Sequence, residues 1–152
     1  MQSLAAQQYR MFHDLYVMLD DGDRRVLRAF HLSPSQYAVL LLLDATDGWR
    51  LTDLSERLLL DKSTVTRLID RLEQAGLVRR IADPADRRAQ RVVLTERGIE
   101  RRERARVAHE RSLARRLAAL DPDEQRQLCR LLGKLQEGLQ ADLAASAPTV
   151  SG

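Results

Sequence analysis

The chain has 152 residues, a length that fits one domain with a single core. Aromatic residues are 4% and charged residues 31%, which favours helices with solvated faces over a β-sandwich. The formal net charge is only +3, but residues 61 to 116 hold 16 Lys/Arg against 9 Asp/Glu, so the basic excess sits on one segment. One cysteine, Cys129, excludes an internal disulfide and a cysteine zinc cluster. No apolar run approaches the ~18 residues of a membrane span, and the start lacks the basic-then-apolar pattern of a secretory signal. A reduced, cytoplasmic location is the expectation.

Leu4, Met11, Phe12, Leu15, Met18 and Leu19 recur at helical spacing and predict a long first helix from residue 4 to about 31. Gly22, between two aspartates, is where it would kink. Ser33-Pro34-Ser35-Gln36 is a helix start with cap, first-turn proline and capping-box glutamine. The apolar run from Tyr37 to Leu43 predicts a core helix ending near Asp47-Gly48. Trp49-Arg50-Leu51 is too short for a free strand and fits a third strand beside a hairpin.

Thr52 reads as the cap of the next helix, with Leu54, Leu58 and Leu59 inward. Asp61 caps the one after, where Val65, Leu68, Ile69 and Leu72 recur three and four apart. That spacing leaves Lys62, Ser63, Thr66, Arg67 and Asp70 on or near the open face. Gly76 is the expected left-handed stop. Asp83-Pro84 and Asp86 mark the tip of a hairpin carrying Arg87-Arg88, and its return strand places Gln90, Val92 and Leu94 on one face. Thr95 caps an arginine-rich helix from 96 to about 119. Asp121-Pro122-Asp123-Glu124 opens a last helix lined with Leu128, Leu131, Leu132, Leu135, Leu139 and Leu143, and residues 145–152 read as a disordered tail.

A helix, a tight turn, a second helix and a two-stranded wing resemble the MarR (multiple antibiotic resistance regulator) family of winged helix-turn-helix transcription factors. The residues that carry the resemblance are Leu51 to Leu58, Ser63-Thr64-Val65-Thr66-Arg67, Arg71-Leu72-Glu73, Gly76-Leu77-Val78, Asp86-Arg87-Arg88, Leu94-Thr95 and Gly98. The expected fold is therefore mainly α: one MarR-like domain over 1–152, with a winged helix-turn-helix over 33–98. The leucine faces of the first and last helices are too wide for ordinary surface helices and bury against each other within one chain or against a second chain; the resemblance implies the second, with residues 1–31 and 99–144 as dimerisation helices.

On this reading the second helix of the motif enters the major groove of double-stranded DNA. Lys62 lies at that helix's start. Ser63, Thr64 and Thr66 can donate to phosphates or base edges, and Arg67 either reads a guanine or touches a phosphate. Arg71 is expected to contact phosphate or pair with Asp70 and Glu73. The resemblance gives Arg88 a place in the minor groove, with Asp86 orienting its guanidinium, while Arg87 and Arg91 reach phosphates. Two-fold symmetry in a homodimer would match a pseudo-palindromic operator. The resemblance also implies a small phenolic or aromatic ligand; Tyr9, His13, Tyr16, Tyr37 and Trp49 line its pocket, with Arg10 on a carboxylate, or else these residues are core filler. The function expected is a homodimeric repressor released by that ligand. The alternatives are a constitutive DNA-binding regulator and a winged-helix protein-interaction module. No nucleophile–base pair, metal spacing or cofactor loop points to an enzyme.

Overall fold

In the computed structural model, residues 3 to 146 are described. By contacts the chain divides into two compact units, one ending at Ser112 and one beginning at Leu113.

The first unit opens with helix α1 (Leu4–Leu27), capped by Ser3, whose Oγ accepts from the Ala6 N–H at 3.2 Å. The helix is unbroken at Gly22. Ion pairs Asp20–Arg24 and Asp21–Arg25, each 2.7 Å and one turn apart, span the glycine from both sides. It ends sooner than its periodicity predicts, in a 3-10 turn (Arg28–Phe30) that stops at His31 with φ 54°. Helix α2 (Pro34–Leu42) has the full capping box: Gln36 N–H donates to Ser33 Oγ, and Ser33 N–H to the Gln36 side chain. It too ends early, at Leu42 rather than near Asp47-Gly48. The reason is Asp44, whose Oδ1 accepts from the N–H groups of Thr46, Asp47 and Gly48 and builds a loop. Those N–H groups hold the Asp44 carboxyl below its ordinary range. Gly48 closes the loop at φ +67°, where a Cβ would lie 2.6 Å from the Val92 carbonyl oxygen.

Strand β1 (Trp49–Arg50) follows, then helix α3 (Leu51–Leu58). Its cap position is Arg50, not Thr52; Thr52 lies inside the first turn, its carbonyl accepting from the Ser55 hydroxyl at 2.7 Å. Leu54 is fully buried, but Leu59 is 80% exposed, because it is the left-handed stop of α3 at φ 53° and points away from the core. Helix α4 (Lys62–Gln74) buries Val65, Ile69 and Leu72 and stops at Gly76 with φ +71°. Strands β2 (Val78–Ala82) and β3 (Gln90–Leu94) complete an antiparallel sheet in the order β1-β3-β2. As the central strand, β3 is covered on both faces, so Val93 is as buried as Val92 and the simple alternation fails there.

Helix α5 (Glu96–Arg116) crosses the division between the units. Thr95 caps it, accepting from Gly98 N–H at 3.0 Å and donating to the Gly76 carbonyl at 2.7 Å. Arg101 and Arg102 donate to the carbonyls of Phe30 and Leu43, both at 2.9 Å, satisfying the ends of the 3-10 turn and α2. The core they close over contains Leu27, Leu40, Leu54, Val65, Ile69, Leu72, Leu77 and Val92. Each such side chain contributes roughly 1.5–3 kcal/mol by leaving water.

In the second unit, Asp121 and Glu124 form the predicted capping box at the head of α6 (Pro122–Ser146). The helix runs through residues 145 and 146, where the tail was expected to be disordered; residues 147–152 lie outside the described residues. Every leucine of the expected α6 stripe is between 38% and 58% exposed.

Candidate nucleic-acid interface

The chemistry of α4 starts at Asp61. Its carboxylate accepts from the Ser63 hydroxyl at 2.5 Å and from the N–H and hydroxyl of Thr64, both at 2.8 Å. Those donors hold the Asp61 carboxyl far below the ordinary carboxylate range. The Thr66 hydroxyl donates to the Lys62 carbonyl at 2.8 Å. So the three hydroxyls expected to donate to DNA all have intrachain acceptors, which stiffen the start of α4. The cations remain. Lys62 is exposed, and so is Arg67, whose one hydrogen bond among the described residues is a long 3.4 Å contact from Nε to the Ser63 carbonyl.

Asp70 and Glu73 do not pair with Arg71. Both are taken by Arg80 of β2, whose guanidinium meets Asp70 at 2.6 Å and also bonds Glu73. Arg71 stands one and two positions from Asp70 and Glu73 on the helix, a spacing at which side chains do not face each other, whereas Arg80 reaches both carboxylates from the sheet. One guanidinium offsets half the charge of the two carboxylates on α4, and the first strand of the wing is tied to the helix. Arg71 remains exposed.

At the wing tip, Asp86 departs from its expected role. Its Oδ1 accepts from the Arg88 backbone N–H at 3.0 Å, and its carbonyl accepts from Ala89 N–H. It therefore shapes the turn rather than the guanidinium. Arg87 and Arg88 are exposed, and no hydrogen bond holds either guanidinium among the described residues. Arg91 is held in place: its Nε donates to Asp83 Oδ2 at 2.8 Å, and its Nη1 to the Asp47 carbonyl at 3.3 Å. Arg50 donates to the same Asp83 oxygen at 2.6 Å. Sequence reading missed Arg50, Arg80 and the buried Asp83 as parts of this surface. Their partners are 33 and about ten residues away, and no local pattern reports such pairings.

The expected ligand residues do not converge. Tyr9 is 75% exposed, and Arg10 and His13 lie on the same exposed half of α1. Tyr37 is buried, its ring edge-on to His109 at 5.2 Å; His109 Nε2 is 3.0 Å from Asp23. Burial, then the charge of Glu110, pushes the Tyr37 hydroxyl above its ordinary pKa. Trp49 is used in the sheet. Tyr16 lines a cleft of about 430 Å³ whose walls include Leu19, Asp20, Pro34, Leu58 and Leu60. A second cleft of about 620 Å³ adjoins it through Tyr16, Asp20, Pro34 and Ser35. Among the described residues no cluster of His, Cys, Asp or Glu could hold a metal, and no helix is long and apolar enough to cross a membrane.

The family model for the MarR family matches residues 32–89. The uncharacterized HTH-type transcriptional regulator YkoM of Bacillus subtilis (strain 168) is 35% identical over 130 residues, covering 86% of this chain and 84% of the relative. Among solved structures, a mutant MarR from E. coli in complex with operator DNA superimposes with a TM-score of 0.78 at 25% identity, covering 88% of this chain and 99% of that one. CouR from Rhodococcus jostii RHA1, bound to p-coumaroyl-CoA, gives 0.76 at 25% identity over 99% and 100% of the two chains. The winged helix-turn-helix built above and the near full-length match to a curated regulator lead to one conclusion: this chain belongs to the MarR family of DNA-binding transcriptional regulators.

Proposed function

We propose that the protein is a homodimeric repressor that binds a pseudo-palindromic operator and is released by a small ligand in the cytoplasm. The observation that carries the DNA reading is the set of outward cations on two linked elements. Lys62 and Arg67 stand on α4, Arg87 and Arg88 on the wing tip, and Arg80 ties the two elements together. In this reading α4 enters the major groove, Arg67 reads a base, Arg88 enters the minor groove and Arg87 meets a phosphate. Residues 33–98 are the reading head; the helices on either side pair the two copies, and their exposed leucines and aromatics support that pairing.

For the ligand, the cleft beside Tyr16 is supported by its size, which falls in the range of small-molecule sites, and by its apolar walls of Leu19, Pro34, Leu58 and Leu60. The structure of CouR with p-coumaroyl-CoA makes aromatic acids and their thioesters the first compounds to test. Constitutive binding is the second reading, favoured by the exposure of Tyr9 and His13 on α1 and by the packing of the buried Tyr37 ring on His109.

Selection from a random DNA pool should yield a two-fold site with half-sites about one helical turn apart. Against single-base variants of that site, Arg67→Ala should relax discrimination at one base pair per half-site by about 1–3 kcal/mol. An even loss across all variants would make Arg67 a phosphate contact. Titrating aromatic acids into the complex should release the DNA; release by none of them favours the constitutive reading.

A further inference from the structure

Arg50 and Arg91 stand directly opposite each other in the β1–β3 ladder. Two like charges in register repel, and such pairs destabilise a sheet. Here a third strand resolves the conflict. Asp83, one residue beyond the end of β2, places its carboxylate between the two guanidiniums, with Oδ2 accepting from Arg50 Nε at 2.6 Å and Arg91 Nε at 2.8 Å. Its other oxygen accepts from the N–H groups of Ala85 at 2.8 Å and Asp86 at 3.1 Å. The side chain of Asp83 is wholly buried, those of Arg50 and Arg91 only partly. The four donors, the Arg50 guanidinium first, hold the Asp83 carboxyl far below its ordinary range, so it stays ionised.

One carboxylate therefore does two things. Through Oδ1 it folds the first turn of the wing tip, two residues before Arg87. Through Oδ2 it fixes two arginines by a single nitrogen each. Two guanidiniums and one carboxylate leave a net positive charge at the root of the wing. Arg91 lies one ladder position from the last pair of the hairpin, Ala82 with Gln90. At ~3.3 Å per residue the arginine pair is close behind the tip. Arg91 is held further by the Asp47 carbonyl. The Nη groups of Arg50 have no hydrogen-bond partner among the described residues, and they stand on the same partly exposed surface. A guanidinium already fixed by a buried carboxylate loses less freedom on meeting an anion than a free side chain does.

We propose that Asp83 is the positioning residue of the wing, and that Arg50, which it holds, is a DNA-phosphate contact lying outside the helix-turn-helix. The proposal rests on the wing meeting DNA as described under Proposed function. Arg50 then reads no sequence. It anchors the wing root to the backbone while Arg88 enters the groove.

Three variants test this against one selected operator: Asp83→Asn, Arg50→Gln and Arg88→Ala, with the pair Asp83→Asn/Arg88→Ala. Asp83→Asn keeps an oxygen for the turn but presents an N–H group to one side of the clamp. It should weaken operator binding at least about tenfold while circular dichroism remains that of the wild type. Its effect should shrink in the Arg88→Ala background, because part of what Asp83 does is to hold the tip. Arg50→Gln should lower affinity equally for the operator and its single-base variants. It should also reduce the slope of log affinity against log salt by about 0.9 for each phosphate that is no longer neutralised. A merely structural Arg50 would leave that slope unchanged, and an unchanged slope overturns its assignment, even if Asp83→Asn proves too unstable to measure. Additive effects of Asp83→Asn and Arg88→Ala, or wild-type affinity in Asp83→Asn, overturn the positioning role. Wild-type protein that shows no sequence preference would defeat the wing reading itself, a different outcome from either of these.

Discussion

Gly98→Ala is expected to destabilise the protein more than any other single methyl group added to it. A Cβ at Gly98 would lie 1.9 Å from the Leu77 carbonyl oxygen, 2.9 Å from its carbon and 3.2 Å from the Leu94 side chain. The first two are backbone atoms, so no rotamer change relieves the clash. The Leu77 carbonyl also accepts from Thr95 N–H at 3.1 Å, and Leu77 and Leu94 are both core residues. Moving α5 away would open the core and break the bonds of the Thr95 cap together. Overpacking costs typically ~1–3 kcal/mol and more against rigid backbone, so a loss of about 3 kcal/mol or more is expected. That is a large fraction of the ~5–15 kcal/mol that holds a domain together. Thermal unfolding should show a melting temperature lower by roughly 10 °C. A melting temperature within about 2 °C of wild type would mean that α5 does not pack on the Leu77 turn as described.

Replacing Leu132 and Leu139 together by Asp should dissociate the dimer. In a single chain these side chains are 42% and 56% exposed, so the change costs the monomer on the order of 1 kcal/mol each for the covered half, besides a few tenths of helix propensity. In a dimer built on this face, each carboxylate would be buried without a partner, at several kcal/mol apiece. Every 1.4 kcal/mol is tenfold in the dissociation constant, so the shift should span at least about three decades. Sedimentation at micromolar concentration should find a wild-type dimer and a folded variant monomer, which then binds one half-site weakly. A wild-type monomer, or a variant that still pairs, contradicts the terminal-helix dimer.

The parts of the fold that were legible in the sequence are those governed by local chemistry. The caps at Ser33, Asp61, Thr95 and Asp121 each follow from a side chain within four residues of its partner, and the stop at Gly76 from a left-handed φ that glycine adopts without strain. So did the third strand at Trp49, because a segment that short must borrow a neighbour. The misplaced ends have one cause in common. Helix α2 yields to three N–H groups gathered by Asp44, and α3 starts before Thr52 because the chain leaves β1 at Arg50. Those are competitions between neighbouring structures, which periodicity does not weigh. In the candidate interface, exposed cations such as Arg67 and Arg88 were legible from their spacing. The partners of Asp86 and the α4 hydroxyls are local, but spacing alone does not say which of several nearby groups is taken; that of Arg91 depends on Asp83 across the hairpin and on the distant Asp47 carbonyl. Of the aromatic residues, helical spacing put Tyr9, His13 and Tyr16 on α1, while the contact of the Tyr37 ring with His109 of α5 is one that no local pattern reveals.

The central claim is that the wing and α4 read DNA together, and affinity measured across salt concentrations for wild type and Arg88→Ala tests it most directly. The substrate is the operator selected from a random pool, with its single-base variants and bulk DNA for comparison. Wild type should prefer the operator, and its binding should weaken with salt by about 0.9 in log–log slope for each phosphate neutralised. Arg88→Ala should bind at least about tenfold more weakly while ranking the variants in the same order, since the minor groove distinguishes little beyond A·T from G·C. Equal affinity for wild type and Arg88→Ala, or wild-type binding that ignores both sequence and salt, would contradict the account.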